Sequence, residues 1–464
     1  MMKKIVLIGI VACLWTCKAE IKKAAPEQMP VLQVSGNGRF FTDQNKKPFF
    51  WLGDTGWLLL TKLDREEAVR YLENRAQKGF NVIQVMVLHG VGAVNQYGDS
   101  ALTGQDVARP LVTAGNSFEN PDEYDYWDHL DFIVDQAAEK GLFMALVPVW
   151  GGNVKAGHVN TAQGKTYAGF LADRYRDKKN VIWLNGGDIP GSDSTAVWNA
   201  IGSTLNDHDP NHLITFHPRG RTQSSKWFHQ EGWLDFNMFQ SGHRRYDQDD
   251  TDLAYGEDNW RYVEADCRLD PVKPTLDGEP SYEGIPQGLH DTLQPLWNDA
   301  DVRRYAYWSV FAGAAGFTYG NNSVMQFRGP KDQEGAYGAK KFWTEAIDDP
   351  GAGQMIYLKE LMLSRSYFDR VPDQSIIAEQ PGEKYDYLIA TRGEDYALIY
   401  TYNGQNMKVN MGKIKGENVK VAWYNPRDGK MEAVGIFPNR DIHEFDPPGE
   451  VQNGSDWVLV LVTE

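Results

Sequence analysis

Val181-Ile-Trp-Leu-Asn-Gly-Gly-Asp188 and Pro274-Thr-Leu-Asp-Gly-Glu279 decide how this chain is expected to fold. Each is a short, largely apolar run, loosened by glycine and closed by a carboxylate, the pattern of a buried strand that ends at a cleft. Six similar runs accompany them: Phe49 to Gly53, Val82 to Leu88, Leu142 to Trp150, Leu213 to His217, Phe236 to Gln240 and Gly316 to Tyr319. In chain order the two carboxylate-bearing runs are the fourth and the seventh of eight. Between the runs lie helix patterns at Asp64 to Lys78, Tyr126 to Lys140, Thr161 to Asp177, Ser194 to Asp207, Asp258 to Arg268 and Asp299 to Ala312. Asp64-Arg-Glu-Glu gives the first an acidic opening turn, and Gly79 and Gly141 stop the first two. Strands alternating with helices predict an α/β fold, a (β/α)8 TIM barrel. A doubly wound sheet is the structural alternative, but it would spread the strand-end residues along an edge.

Connections after strands are long and those after helices are short. Residues 89 to 125, 218 to 233 and 320 to 353 are rich in Gly, Asn, Asp and aromatics, whereas Lys78-Gly-Phe80 and Lys140-Gly-Leu142 are tight. That asymmetry marks the C-terminal face of the barrel as the working face. From about Arg365 the pattern becomes alternation: Tyr385 to Thr391, Tyr396 to Tyr402, Val419 to Tyr424 and Trp457 to Val462, with turns at Asn403-Gly and Asp428-Gly. A small C-terminal all-β sandwich domain is predicted there. The organisation read from the sequence is a signal peptide over 1–17, a tether over 18–30, the barrel over 31–365 and the β domain over 366–464.

The first residues, Met1-Met-Lys-Lys, lead into an apolar stretch from Ile5 to Trp15. This is short for a membrane span, which needs about 20 apolar residues, and fits a secretory signal. Leu14-Trp-Thr-Cys17 resembles a bacterial lipobox, with Cys17 as the lipidated residue; plain signal cleavage is the alternative. Cleavage there leaves Cys267 as the only other cysteine, so no internal disulfide framework is available. The expected location is export to the outer membrane, on the cell surface or the periplasmic face, with the membrane met only through a lipid. A net charge of −16 without any Lys/Arg cluster argues against nucleic acid as a partner. The 15 Trp residues suit a site that stacks on sugar faces, although most Trp in any chain fills core.

Two carboxylates at the tips of barrel strands four and seven are the arrangement with which many retaining glycosidases work, one as nucleophile and one as acid/base. Glu279, fixed between Gly278 and Pro280, suits the nucleophile. Asp188 suits the acid/base, provided that burial and a neighbouring charge lift its pKa above the usual value of about 3.9. Gly186-Gly187 can bulge and carry this shorter side chain closer to the cleft. Asp277 shares the strand parity of Glu279 and is expected to point into the barrel one layer deeper, supporting catalysis. Each carboxylate alone also fits a cap or a surface ion pair. Candidate substrate contacts at other strand tips are Asp54 and Trp57, His89, Trp150, Asn185, His217 (with Arg219 close by in sequence), Gln240 with His243, and Tyr319. No His-Glu-x-x-His or Gly-x-Ser-x-Gly motif and no phosphate-binding Gly-x-x-x-x-Gly-Lys-Ser/Thr loop is present, so no metal and no obligatory cofactor is expected.

Arg39-Phe-Phe-Thr-Asp-Gln-Asn-Lys-Lys-Pro-Phe-Phe-Trp-Leu-Gly-Asp-Thr-Gly-Trp57 and Lys78-Gly-Phe-Asn-Val-Ile-Gln84, together with Trp183-Leu-Asn-Gly-Gly-Asp188 and Asp277-Gly-Glu-Pro280, resemble the apiosidase-like glycoside hydrolases of family 140. The resemblance spans roughly residues 31 to 365. Trp423-Tyr-Asn-Pro-Arg-Asp-Gly429 resembles the β domain that follows this barrel, a family named for collagen binding, although nothing in these residues suggests collagen. The resemblance implies a retaining-type site with Asp188 as acid/base and Glu279 as nucleophile. It also implies a Bacteroides-type lipoprotein whose substrate is an apiose linkage in the pectin rhamnogalacturonan II. Two other readings remain open at this point. One is a surface glycan-binding protein on a decayed barrel, which would have no need to keep both carboxylates. The other is a matrix-binding scaffold acting through the β domain.

Overall fold

The computed structural model describes residues 29–248 and 255–464. Eight parallel strands form the barrel: β1 (Trp51–Thr55), β2 (Val82–Leu88), β3 (Phe143–Val149), β4 (Val181–Ile189), β5 (Ile214–Pro218), β6 (Asn237–Gln240), β7 (Thr275–Asp277) and β8 (Gly316–Tyr319). The sheet runs in the order β5-β4-β3-β2-β1-β8-β7-β6, and the short antiparallel strand Thr222–Gln223 adds a ninth member beside β6. The ends meet through single contacts instead of a ladder. The Asp235 N–H donates to the Ile214 carbonyl at 2.9 Å, and Thr215 Oγ1 to the Phe236 carbonyl at 2.6 Å. The sheet is thus a nearly closed TIM barrel.

The helices form where the sequence signals them. Helix α1 (Arg65–Gln77) begins at a capping box in which Asp64 accepts from the Glu67 N–H, and α2 (Tyr126–Glu139) and α3 (Thr161–Tyr175) open with the same device at Asp125 and Asn160. Gly79 and Gly141, with φ of 82° and 73°, end α1 and α2 in the left-handed region that glycine enters freely. Helices α4 (Thr195–His208), α5 (Trp260–Cys267) and α6 (Asp299–Phe311) complete the predicted set. A further helix, α7 (Pro350–Leu363), begins inside the segment 320 to 353 read as a loop. Gly351 and Gly353 masked it, yet Met355, Leu358, Leu361 and Met362 are buried against the barrel at helical spacing, and Pro350 occupies its first turn. At the opposite end from the cleft, a small antiparallel sheet (Leu32–Val34, Phe41–Asp43, Pro48–Phe49) plugs the barrel floor. There Phe41 meets Phe236 edge-on with 5.1 Å between ring centroids.

The C-terminal domain is a six-stranded antiparallel sheet faced by the two-stranded pair Met407–Asn410 and Ile442–Phe445. Strand Tyr396–Thr401 shows how alternation builds it. Leu398 and Tyr400 pack into the barrel-side core, and Ala397 and Ile399 into the domain's own core. The two domains therefore share a buried interface: Tyr400 stacks on Tyr307 of α6, and Tyr387 stacks on Trp260 of α5 with centroids 4.3 Å apart. Arg303 of α6 forms a two-pronged bond to Asp456, 2.9 Å on each prong, with side chains 2% and 0% exposed. The predicted lipidation at Cys17 and the tether lie largely outside the described residues, and no described helix is long and apolar enough to cross a membrane.

Breaking the Arg303 pair leaves a guanidinium buried without its carboxylate. Asp456→Ala should cost about 3–5 kcal/mol, read as a lower midpoint of a denaturant melt. A loss below about 1 kcal/mol, the range of exposed pairs, would contradict a dry, load-sharing interface.

Candidate active site

Asp188 owes its position to a break in strand β4. The β4–β5 register shifts between Gly186 and Ile189, and Gly186, Gly187 and Asp188 all take positive φ (95°, 107° and 47°). Neither glycine tolerates a side chain: a Cβ on Gly186 would sit 2.6 Å from the His217 carbonyl, and one on Gly187 2.5 Å from the Trp150 ring. The bulge turns Asp188 into the cleft, where the Gly220 N–H reaches its Oδ1 at 3.4 Å. Asp188 is exposed as a residue and lines the cleft together with Trp150, Arg219 and Gly220. Burial, then the Glu279 charge, raises its pKa above the ordinary carboxylate value, against the opposing pull of His217, the Gly220 N–H and Arg219.

Glu279, 8% exposed, is held by two histidines in the same manner. His217 Nδ1 faces the Asp188 N–H at 3.4 Å and so acts as acceptor, leaving Nε2 to carry the proton 3.2 Å from Glu279 Oε2. The Oε2 contact is a close approach without hydrogen-bond alignment. His243 Nδ1 accepts from the Tyr282 N–H at 3.3 Å, and its Nε2 lies 3.3 Å from Glu279 Oε1. Burial alone would raise the pKa of Glu279. The two imidazoles outweigh it and hold the carboxylate down at about 2. The site thus contains one carboxylate fixed in its charged form and a second, in electrostatic contact with it, biased towards keeping a proton.

Both carboxylates line a cleft of about 470 Å³ at the C-terminal face of the barrel. Trp57 and Trp150, centroids 5.3 Å apart, form one wall with Met86 and His89. Gln240, His243 and Arg244 form another beside Arg219 and Arg221, and Tyr337 edges the mouth. Tyr282, three residues beyond Glu279, accepts from Trp57 Nε1 at 3.1 Å and lies against the Glu279 charge, which together with burial lifts its pKa well above the ordinary tyrosine value. Tyr282, Arg244 and Tyr337 were not foreseen. The first lay within reach of sequence reasoning as part of the segment leaving β7, whereas the others depend on loop paths that periodicity does not encode.

Of the expected contacts, Trp57, His89, Trp150, Gln240 and His243 line the cleft, and His217 lies beneath it against Glu279 and Trp57. Three others do not. Asp54 is fully buried on the helix side of β1, where its Oδ2 takes Arg75 Nε at 2.7 Å and Tyr71 OH at 2.5 Å. Burial raises its pKa against the Arg75 charge. The glycines around Asp54 have a packing reason: a Cβ on Gly53 would meet Trp51 at 2.6 Å, and one on Gly56 the Tyr71 hydroxyl at 2.9 Å. Asn185 turns to α4, donating to the Trp198 carbonyl at 2.8 Å, and Tyr319 donates to Glu283 at 2.5 Å beneath α7. Asp277 also faces the helices, not the barrel interior as parity suggested. It binds Ser241 Oγ at 2.5 Å and Asn259 Nδ2 at 3.1 Å, and burial pushes its pKa up to about 7. Strand β7 ends at Asp277, so the alternation that would carry Glu279 to the same side stops there. Through Ser241, Asp277 anchors the turn that presents His243. Among the described residues no cluster of three or more His, Cys, Asp or Glu is placed to hold a metal ion.

A parallel barrel that gathers two carboxylates at the tips of β7 and β4, one of them held between two imidazoles, inside an aromatic-walled cleft has the form of a glycoside hydrolase. The family model for the apiosidase-like catalytic domain matches residues 35–369, and the one described as "Putative collagen-binding domain of a collagenase" matches residues 371–462. The chain belongs to the apiosidase-like family and is a glycoside hydrolase. Two solved structures resemble it over nearly their whole length. One, titled "Glycoside hydrolase", is 50% identical with a TM-score of 0.88, covering 94% of this chain and 97% of that one. The other, a glycoside hydrolase family 5 protein from Bacteroides vulgatus, is 46% identical with a TM-score of 0.88, covering 93% of each chain. No protein of curated function matches.

The placement of Asp54 separates a structural role from a binding one. Asp54→Asn should lower stability by about 3–5 kcal/mol, because Arg75 stays buried without its counter-charge, while KM of the folded enzyme stays within about twofold of the parent. A tenfold rise in KM with unchanged melting would return Asp54 to the substrate.

Proposed function

We propose that this enzyme is a retaining glycoside hydrolase acting on a plant pectin side chain, with an apiose linkage of rhamnogalacturonan II as its substrate. The observation that carries the mechanism is the meeting of two carboxylates in one cleft, Glu279 set between His217 and His243 and Asp188 carried in on the β4 bulge, with their pKa values pushed in opposite directions. Glu279 attacks the anomeric carbon while Asp188 gives its proton to the departing glycosidic oxygen, forming a glycosyl ester on Glu279. Asp188, now ionised, takes a proton from water, which cleaves the ester and restores both groups. Trp57 and Trp150 offer faces for sugar C–H bonds, and Gln240 and Tyr282 offer hydroxyl partners. The apiose assignment is supported by membership of the apiosidase-like family. The sequence of the first 17 residues supports export as an outer-membrane lipoprotein lipidated at Cys17. A glycan-binding protein without turnover gains nothing from holding Glu279 charged beside an Asp188 whose pKa is raised, which disfavours that reading.

The test is product release from rhamnogalacturonan II and a panel of other plant glycans by the mature protein and its variants. An oligosaccharide with a new apiose reducing end, absent with Glu279→Ala, is expected. Release only from another glycan moves the substrate, and binding without release from any glycan overturns the enzyme reading.

The pH profile follows from the two shifts. Glu279 stays ionised down to about pH 2, so it does not limit activity above about pH 4. Asp188 must hold its proton, and its raised pKa means activity is retained at acidic pH and falls as pH rises through that value. Asp188→Ala should lower kcat by about 10²–10⁴, flatten the alkaline limb and be rescued by azide. A profile whose alkaline limb survives Asp188→Ala would contradict the assignment.

A further inference from the structure

The loop after β6, which carries His243, is held at both ends. At its start Ser241 is bound to Asp277, and further along the Tyr246 N–H donates to Glu257 Oε1 at 3.2 Å. Glu257 lies just ahead of α5, is 0% exposed, and joins three parts of the molecule on one carboxylate. Arg304 Nη2 of α6 reaches its Oε2 at 2.6 Å, and the Tyr385 hydroxyl lies 3.0 and 3.1 Å from its two oxygens. Tyr385 belongs to the C-terminal β domain. A carboxylate at this depth depends on every one of these donors, because water does not replace one that is lost.

The β domain is shaped to deliver that hydroxyl. In the turn before Tyr385, Gly382 and Lys384 take positive φ (87° and 53°), and a Cβ on Gly382 would stand 2.3 Å from the Asp386 carbonyl. A lysine in the left-handed region costs backbone energy and persists only where surrounding contacts fix it. One such contact is the bond that Asp386 accepts from Asn403 Nδ2 at 2.6 Å. The Tyr385 ring completes a cage around the Arg304 guanidinium with Tyr305, Trp308 and Tyr402, at 4.8 to 5.1 Å from the four ring centroids. It also meets the Tyr246 ring with 5.7 Å between centroids. Tyr402 offers a contrast within the same cage, for its hydroxyl crosses the domain boundary to Asp301 on α6 at 3.1 Å.

We propose that Tyr385 is a positioning residue of the active site: through Glu257 and the Tyr246 N–H, the β domain fixes the loop that aims His243 at Glu279. Glu279 is faced by His217, His243 and Tyr282 and, across the cleft, by Asp188 and Tyr337. Of these, His243 is the one that stands on the anchored loop, between Ser241 and Tyr246. Its carbonyl is pinned by the Gly288 N–H at 2.8 Å and by Trp297 Nε1 at 3.1 Å. A chain pinned at one point can still pivot about it, and the anchor at Tyr246 removes that freedom. The proposal rests on Glu279 as the working carboxylate and gives the β domain a part in the reaction without a ligand of its own.

The test needs no substrate and uses the mature protein with both domains. Tyr385→Phe removes the hydroxyl and keeps the ring over Arg304, so the fold is retained, and Tyr402→Phe removes the neighbouring hydroxyl as a control. Hydrogen exchange of the segment 241–248, read by mass spectrometry, should quicken about tenfold in Tyr385→Phe, the scale of a hydrogen bond to a charged group, and stay at the parent rate in Tyr402→Phe. In a 13C titration the Glu279 carboxyl should titrate about one pH unit higher in Tyr385→Phe, because one of its two imidazoles has loosened, and should be unmoved in Tyr402→Phe. An exchange rate or a Glu279 midpoint unmoved in Tyr385→Phe, whatever the melting temperature, reduces Tyr385 to a structural contact and overturns the proposal, as do equal shifts in both variants. Neither readout involves turnover, so a protein that cleaves no glycan but shows both shifts sustains the positioning role while refuting the proposed substrate.

Discussion

The chemistry of this site depends on two imidazoles holding one carboxylate. Glu279 is buried almost completely, and a lone carboxyl at such depth would take up a proton and lose its nucleophilicity. His217 and His243 prevent this by the same device. In each ring Nδ1 is engaged by a backbone N–H and Nε2 is turned to the carboxylate. The His217 ring receives the Asp188 amide, so the bulge that delivers the acid/base candidate also fixes the histidine that charges the nucleophile candidate. The two halves of the site cannot be varied independently.

The surrounding frame is arranged to keep that geometry still. Asp277 and Ser241 anchor the turn carrying His243, and Trp57, Trp150 and His217 pack ring against ring under the cleft. Buried ion pairs, Asp54 with Arg75 and Arg303 with Asp456, tie the strands to α1 and the barrel to the β domain. Such pairs contribute little net stability over apolar packing, but they penalise every arrangement that separates them, which fixes register more than it adds free energy.

Much of this was legible in the sequence, because the signals are local. Val82 to Leu88 and Gly316 to Tyr319 form strands with the bounds read from their apolar runs, and the capping residues Asp64, Asp125 and Asn298 start helices at the expected places. The glycine pair before Asp188 signalled the bulge. The orientation of polar residues at strand ends was legible only in part. Asp54, Asn185, Asp277 and Tyr319 lie within the strands yet face the helices, because alternation does not say which of its two sides is the cleft and helix partners such as Arg75 are distant in sequence; Glu279 escapes the parity of Asp277 because β7 ends there. Helix α7 was hidden by two glycines whose cost its buried face outweighs. Arg219, Arg221 and Arg244 reach the cleft along loop paths that have no periodic signature.

The central claim is the split between the two carboxylates, and a 13C NMR titration of protein labelled at its Asp and Glu side-chain carboxyls measures it without any substrate, with Glu279→Gln and Asp188→Asn assigning the signals. The account predicts that the Glu279 carboxyl remains ionised well below pH 4 while Asp188 titrates above the ordinary aspartate value. Two ordinary midpoints, or the reverse order, would contradict it.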